Sequence, residues 1–74
     1  MNTKYNIAIA GATGNVGREI IQILEDRDFP IDQLYLLAST RSKGQTIEFK
    51  GEKLVVEDLA EFDFSKVQIG LFSP

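Results

Sequence analysis

The chain has 74 residues, 43% of them hydrophobic and 26% charged, with no cysteine and no histidine. A chain of this length buries only about 60% of the surface its unfolded form exposes, so at most one small domain with a modest core is expected. The net charge of −3 supplies no basic stripe for nucleic acid or a membrane surface, and the absent cysteines exclude disulfides, thiolate metal sites and a thiol nucleophile within these residues.

Met1 reads as a genuine start. Lys4 followed by the Ile7 run superficially resembles a secretion signal, but the run is too short and Thr13 and Gly14 interrupt it. No segment is long enough to cross a bilayer, so a soluble, cytoplasmic protein in a reducing compartment is expected. Tyr5 to Ala10 is apolar without alternation, as a strand covered on both faces of a parallel sheet requires. From Asn15 the period becomes helical: Val16, Ile20, Ile23 and Leu24 form one apolar stripe, with Arg18, Glu19, Gln22, Glu25 and Asp26 on the wetter side. Pro30 disfavours helical geometry at Phe29, so the helix should end near Arg27 or Asp28.

Residues 34–38 (Leu-Tyr-Leu-Leu-Ala) predict a second strand, which completes a βαβ unit. Residues 39–44 are polar, basic and end in glycine, as a loop would be. Residues 46–50 and 53–57 flank Gly51-Glu52, and their alternation predicts a β-hairpin with Ile47 and Phe49 on one side. Residues 58–66 predict an acidic irregular stretch or a short helical turn, and residues 67–72 a further sheet strand. The fold class is therefore α/β: a partial, Rossmann-type parallel sheet made of an opening βαβ unit, a hairpin and one more strand. Residues 1–74 read as the N-terminal part of a dinucleotide-binding domain.

Gly11-Ala-Thr-Gly-Asn-Val-Gly17 follows the first strand directly and opens the helix, the context that gives this glycine spacing its meaning. Gly11 lets the chain turn off the strand, Gly14 keeps no side chain between the backbone and a pyrophosphate, and Gly17 lets helix and sheet approach closely. The N–H groups of Thr13, Gly14, Asn15 and Val16 then form the positive end of a helix, suited to an anion, and Thr13 and Asn15 can add side-chain donors.

The nucleotide is read at the end of the second strand. An Asp or Glu there commonly holds the ribose 2′-hydroxyl of NAD. Here residues 38–43 are Ala-Ser-Thr-Arg-Ser-Lys, with no acid. Arg41, flanked by the hydroxyls of Ser39, Thr40 and Ser42, suits a 2′-phosphate through charge-assisted, often bidentate hydrogen bonds, with Lys43 adding local positive charge. NADP is thus favoured over NAD. Ser73, at the carboxyl end of the last strand, is a further candidate cofactor contact. Glu57, Asp58, Glu61 and Asp63 have no metal-loop spacing and read as a solvated face; no metal ligand is assigned. Tyr5 and Tyr35 read as packing residues, since neither is followed four positions on by the lysine that short-chain reductases use. No catalytic residue is assigned.

Gly-Ala-Thr-Gly-Asn-Val-Gly-Arg-Glu, Phe29-Pro30-Ile31-Asp32, Leu-Leu-Ala-Ser-Thr-Arg-Ser-Lys-Gly, Phe49-Lys-Gly and Ile69-Gly-Leu-Phe-Ser together resemble the N-terminus of aspartate-β-semialdehyde dehydrogenase, from about Tyr5 to Ser73. The resemblance implies NADPH-dependent reductive dephosphorylation of aspartyl-4-phosphate to aspartate semialdehyde, on the route to lysine, threonine and methionine. It implies that Thr13 to Val16 hold the cofactor phosphates and that Arg41 and Ser42 hold the 2′-phosphate. It also implies a homo-oligomeric parent whose catalytic cysteine, histidine and substrate arginines lie beyond these residues, so that this chain alone is not catalytically competent. The alternatives are N-acetyl-glutamyl-phosphate reductase, a non-enzymatic NADP-sensing regulator, and a folding module without a ligand. With one helix to cover strands buried on both faces, the isolated chain is expected to be weakly stable.

Overall fold

The computed structural model describes residues 3–72. In chain order these form strand β1 (Tyr5–Ala10), helix α1 (Asn15–Asp26) and strand β2 (Ile31–Ala38), then a 3-10 turn at Thr40–Ser42. Strands β3 (Thr46–Phe49) and β4 (Glu52–Val55) make an antiparallel hairpin, and the two-residue strand β5 (Glu57–Asp58) follows. Two 3-10 turns, Leu59–Glu61 and Phe64–Lys66, lead to strand β6 (Ile69–Phe72). The main sheet is parallel, in the order β5-β2-β1-β6. No described helix is long and apolar enough to cross a membrane.

Two-sided burial of the central strands explains their unbroken apolar runs. Ile7 and Ile9 of β1 and Leu36 and Ala38 of β2 pack with Ile21 and Leu24 of α1, and with Phe49 and Val56 from the hairpin side. Ile7, Ile9, Leu36, Leu37 and Val56 are essentially sealed from water, each contributing about 2 kcal/mol of burial. Period-two alternation sends Ala8, Ala10, Tyr35 and Leu37 to the other face. There the crossover from β5 to β6 lays down an aromatic row: Tyr35 and Phe62 centroids lie 5.0 Å apart, Phe62 and Phe64 5.0 Å, and Phe64 and Phe72 5.9 Å. Ala8 and Gly70 are register partners on this face, and their small side chains leave room for the rings. Tyr5 packs instead against Phe29, so both tyrosines are packing residues as expected.

The helix phase differs in part from the expected stripe. Leu24 is buried and Ile20 packs against the core as expected, but Gly17 and Ile21 are buried with them, whereas Val16 and Ile23 are 46% and 53% exposed. Gly17 sets this phase: a Cβ there would lie 2.1 Å from the Gly11 carbonyl oxygen and 2.8 Å from Ala12 Cα. Only a bare glycine can face the turn, so positions four and seven further on face inward with it. Gly17 thus packs on the residues just after β1, not on the sheet itself. At its other end α1 closes with Asp28 at φ 49°, Asp28 N–H donating to Glu25 O at 3.2 Å and Phe29 N–H to Leu24 O at 3.2 Å. These are the two bonds of a Schellman closure.

Strand β2 begins three residues before the expected start. The Tyr5 N–H donates to Pro30 O at 3.0 Å, and pairing with β1 recruits the polar Asp32 and Gln33. The second hairpin arm is shorter than expected, ending at Val55 rather than continuing to Glu57. Val56, fully buried, pulls the chain into the core, and Glu57 and Asp58 then pair with Leu37 and Ala38 of β2. The hairpin turn has Lys50 at φ 50° and Gly51 at φ 83°, the left-handed pair that a two-residue turn demands. Lys50 fastens this turn to the helix end, its N–H donating to the Glu25 carboxylate and its ammonium pairing with Asp28.

Candidate functional site

In an open parallel sheet, ligands sit beyond the carboxyl ends of the strands where the winding direction reverses. That point lies between β1 and β6: the chain leaves β1 for β2 on one side, and β6 pairs on the other, with Ala10 opposite Phe72. The glycine turn stands at this position.

Gly11, at φ 81°, takes the chain off the strand. Its N–H and that of Ala12 both donate to Leu37 O, at 2.9 and 3.0 Å, which anchors the turn over the end of β2. Gly14 N–H donates to Gly11 O at 3.0 Å, and Arg18 N–H makes the first helical bond, to Gly14 O, at 3.0 Å. The expected set of free donors is therefore corrected: Gly14 N–H is spent inside the turn. Among the described residues, the N–H groups of Thr13, Asn15 and Val16 have no acceptor. Gly14, Asn15 and Val16 are exposed, and the first turn of α1 carries no acid. The result is three N–H groups without an acceptor at a positive helix end, beside a glycine that carries no side chain, an arrangement chemically suited to an anion.

The second half of the site is the turn after β2. Ser42 N–H donates to Ser39 O at 2.9 Å and Lys43 N–H to Thr40 O at 3.3 Å, shaping one tight 3-10 turn. Two side-chain contacts hold it. Ser42 Oγ lies 3.3 Å from Thr13 Oγ1, and Thr40 Oγ1 donates to Asp58 Oδ2 at 2.8 Å. Arg41 is exposed and, among the described residues, has no carboxylate partner. The local charge is smaller than the sequence implied, because Lys43 Nζ stands 3.9 Å from Glu61 Oε1. Of the two cations in this turn, Arg41 is the one without a carboxylate partner among the described residues. Ser39 is exposed at the start of the turn, with its side chain making no capping bond. Ser73 lies outside the described residues.

Asp58 and Thr40 were not singled out by sequence. Asp58 was grouped with a solvated acidic face, yet it is 7% exposed. Its carboxylate accepts from Ala60 N at 3.0 Å as well as from Thr40, and these bonds, the backbone one foremost, hold it below the usual carboxylate range. The one sequence signal was local, an aspartate placed to cap the turn that follows it. The rest of the acidic group does face water, and among the described residues no three candidate ligands gather as a metal site.

The family model of the semialdehyde dehydrogenase NAD-binding domain matches residues 6–74. An aspartate-semialdehyde dehydrogenase of Legionella pneumophila is 56% identical over 73 residues, covering 99% of this chain and 21% of its own. A USG-1 protein homolog of Azotobacter vinelandii is 49% identical over 73 residues, covering 99% of this chain and 22% of its own. The crystal structure of aspartate semialdehyde dehydrogenase II from Vibrio cholerae, complexed with ASA, superposes with a TM-score of 0.94 at 49% identity, covering 97% of this chain and 24% of its own. The chain thus spans between a fifth and a quarter of the length of these relatives. A glycine turn between strand and helix, a parallel sheet reversing direction beside it, and a family match over nearly the whole chain lead to one assignment: the chain belongs to the semialdehyde dehydrogenase NAD-binding domain family.

Proposed function

We infer that this chain is the NADP-binding segment of an aspartate-semialdehyde dehydrogenase, whose parent converts aspartyl-4-phosphate to aspartate semialdehyde in lysine, threonine and methionine biosynthesis. The observation that carries the cofactor reading is Arg41 after the end of β2, without a carboxylate partner among the described residues and in a segment, residues 38–43, that holds no acid. The free N–H groups of Thr13, Asn15 and Val16 suit the pyrophosphate, and the bare Gly14 permits its approach. NADPH, when bound, would supply a hydride, and these residues would hold its phosphates. The chain has no cysteine and no histidine, so acyl-transfer chemistry belongs to other parts of the parent. A cytoplasmic, homo-oligomeric parent fits the same reading.

Calorimetric titration of the folded chain with NADP and NAD tests it. NADP is expected to bind at least tenfold more tightly, as charge-assisted bonds of about 1.5–3 kcal/mol from Arg41 require. Arg41→Ala should abolish that preference while leaving NAD binding unchanged. Equal affinity for the two cofactors in the wild type contradicts it. Phosphate-dependent reduction of NADP by the parent with aspartate semialdehyde tests the dehydrogenase reading, and its absence contradicts that reading.

A further inference from the structure

We propose that Asp58, acting through Thr40, is a positioning residue for nucleotide selectivity: it fixes the turn that presents Arg41. This rests on the reading of Arg41 as the 2′-phosphate ligand.

The argument begins with the brevity of β5. Its two residues pair with β2 so that Asp58 stands opposite Ala38, the last residue of β2. The turn carrying Arg41 starts two residues beyond Ala38. Asp58 is therefore the side chain of the neighbouring strand that reaches this turn, and Thr40 Oγ1 meets its carboxylate at 2.8 Å. On the other side of Arg41, Ser42 meets Thr13 at 3.3 Å. The residues before and after Arg41 are thus both tied down, one to the β5 end and one to the glycine turn. A flexible arginine loses less order on binding when its backbone is already fixed.

The neighbouring acids have partners other than Arg41. Asp58 accepts from the Thr40 hydroxyl at Oδ2 and from the Ala60 N–H at Oδ1, and Glu61 Oε1 lies 3.9 Å from Lys43 Nζ. Among the described residues no carboxylate pairs with Arg41. Arg41 keeps its whole fork for a ligand, and the ligand chemistry it suits is a phosphate monoester on a nucleoside.

The probes that isolate this subsite are 2′,5′-ADP and 5′-AMP, which differ only in the 2′-phosphate, titrated into the chain and its Thr40→Val and Thr40→Ser variants. Thr40→Val keeps the shape and removes the hydroxyl. It should weaken 2′,5′-ADP binding about fivefold and leave 5′-AMP within about twofold, while Thr40→Ser binds both as the wild type does. Hydrogen exchange of the Ser42 and Lys43 amides, followed without ligand, should quicken in Thr40→Val and not in Thr40→Ser. Unchanged 2′,5′-ADP affinity and unchanged exchange in Thr40→Val overturn the proposal, and equal weakening of both probes shows a general loss of structure and overturns it too. A wild type that does not prefer 2′,5′-ADP overturns the NADP reading instead, and the positioning role with it.

Discussion

The hydroxyl oxygens of Thr13 and Ser42, 29 positions apart in sequence, lie 3.3 Å from each other. This contact joins the turn that suits a pyrophosphate to the turn that suits a 2′-phosphate. The two subsites form one unit, held by β1 and β2 as they run side by side from Asn6 opposite Gln33 to Ala10 opposite Leu37. A neutral hydrogen bond of this kind contributes about 1 kcal/mol. Thr13→Val and Ser42→Ala should each lower stability by roughly that amount, and the double variant by little more than either single one. Urea denaturation of the four proteins measures the coupling.

Gly17→Ala tests the close approach of α1 to the glycine turn. Alanine is the better helix former by about 1 kcal/mol. Its methyl group would nonetheless stand 2.1 Å from a backbone oxygen that no rotamer can move. Steric cost should win, with a net loss of roughly 3 kcal/mol and a lower melting temperature by circular dichroism.

The phase of α1 yields opposite expectations for two neighbouring positions. Ile21, 5% exposed, should lose about 3 kcal/mol on truncation to alanine. Ile23, 53% exposed, should tolerate Ile23→Lys within about 0.5 kcal/mol. The apolar stripe read from sequence predicts the reverse order, so chemical denaturation of both variants separates the two phases.

Acid should unfold the protein through three aspartates. Asp28 is held below its ordinary pKa of 3.8 by its bond and charge pairing with Lys50, Asp58 by Ala60 and Thr40, and Asp63 by Ser65. A carboxylate depressed in the folded state stabilises fully above its unfolded pKa, and that contribution disappears as pH falls through the folded value. The melting temperature should therefore stay level above about pH 5 and drop below about pH 4 as these groups take up protons. Thr40→Val should flatten the drop, because Asp58 then titrates closer to its unfolded value. Thermal melts across this range, on both proteins, check the sign.

Much of the site was legible because its chemistry is local. The run from Tyr5 to Ala10, the three glycines and the residue types around Arg41 each declare a strand, a turn or a charge within a few positions. The phase of α1 was not legible from apolar spacing, since the residue that decides it is Gly17, whose contribution is an absent side chain. Nor was the role of Asp58, which depends on Val56 drawing the chain into the core and on β5 pairing beside β2. The polar start of β2 likewise came from its partner strand, not from its own sequence. What stayed hidden was in each case set by a contact distant along the chain.

The most direct test of the cofactor site is to follow backbone amides by NMR while NADP is added to the isotope-labelled chain. The account predicts saturable shifts at Thr13, Asn15 and Val16 together with Ser39, Arg41 and Ser42, and none in the hairpin around Gly51. Shifts confined to other surfaces, or no shifts in a folded sample, would contradict it.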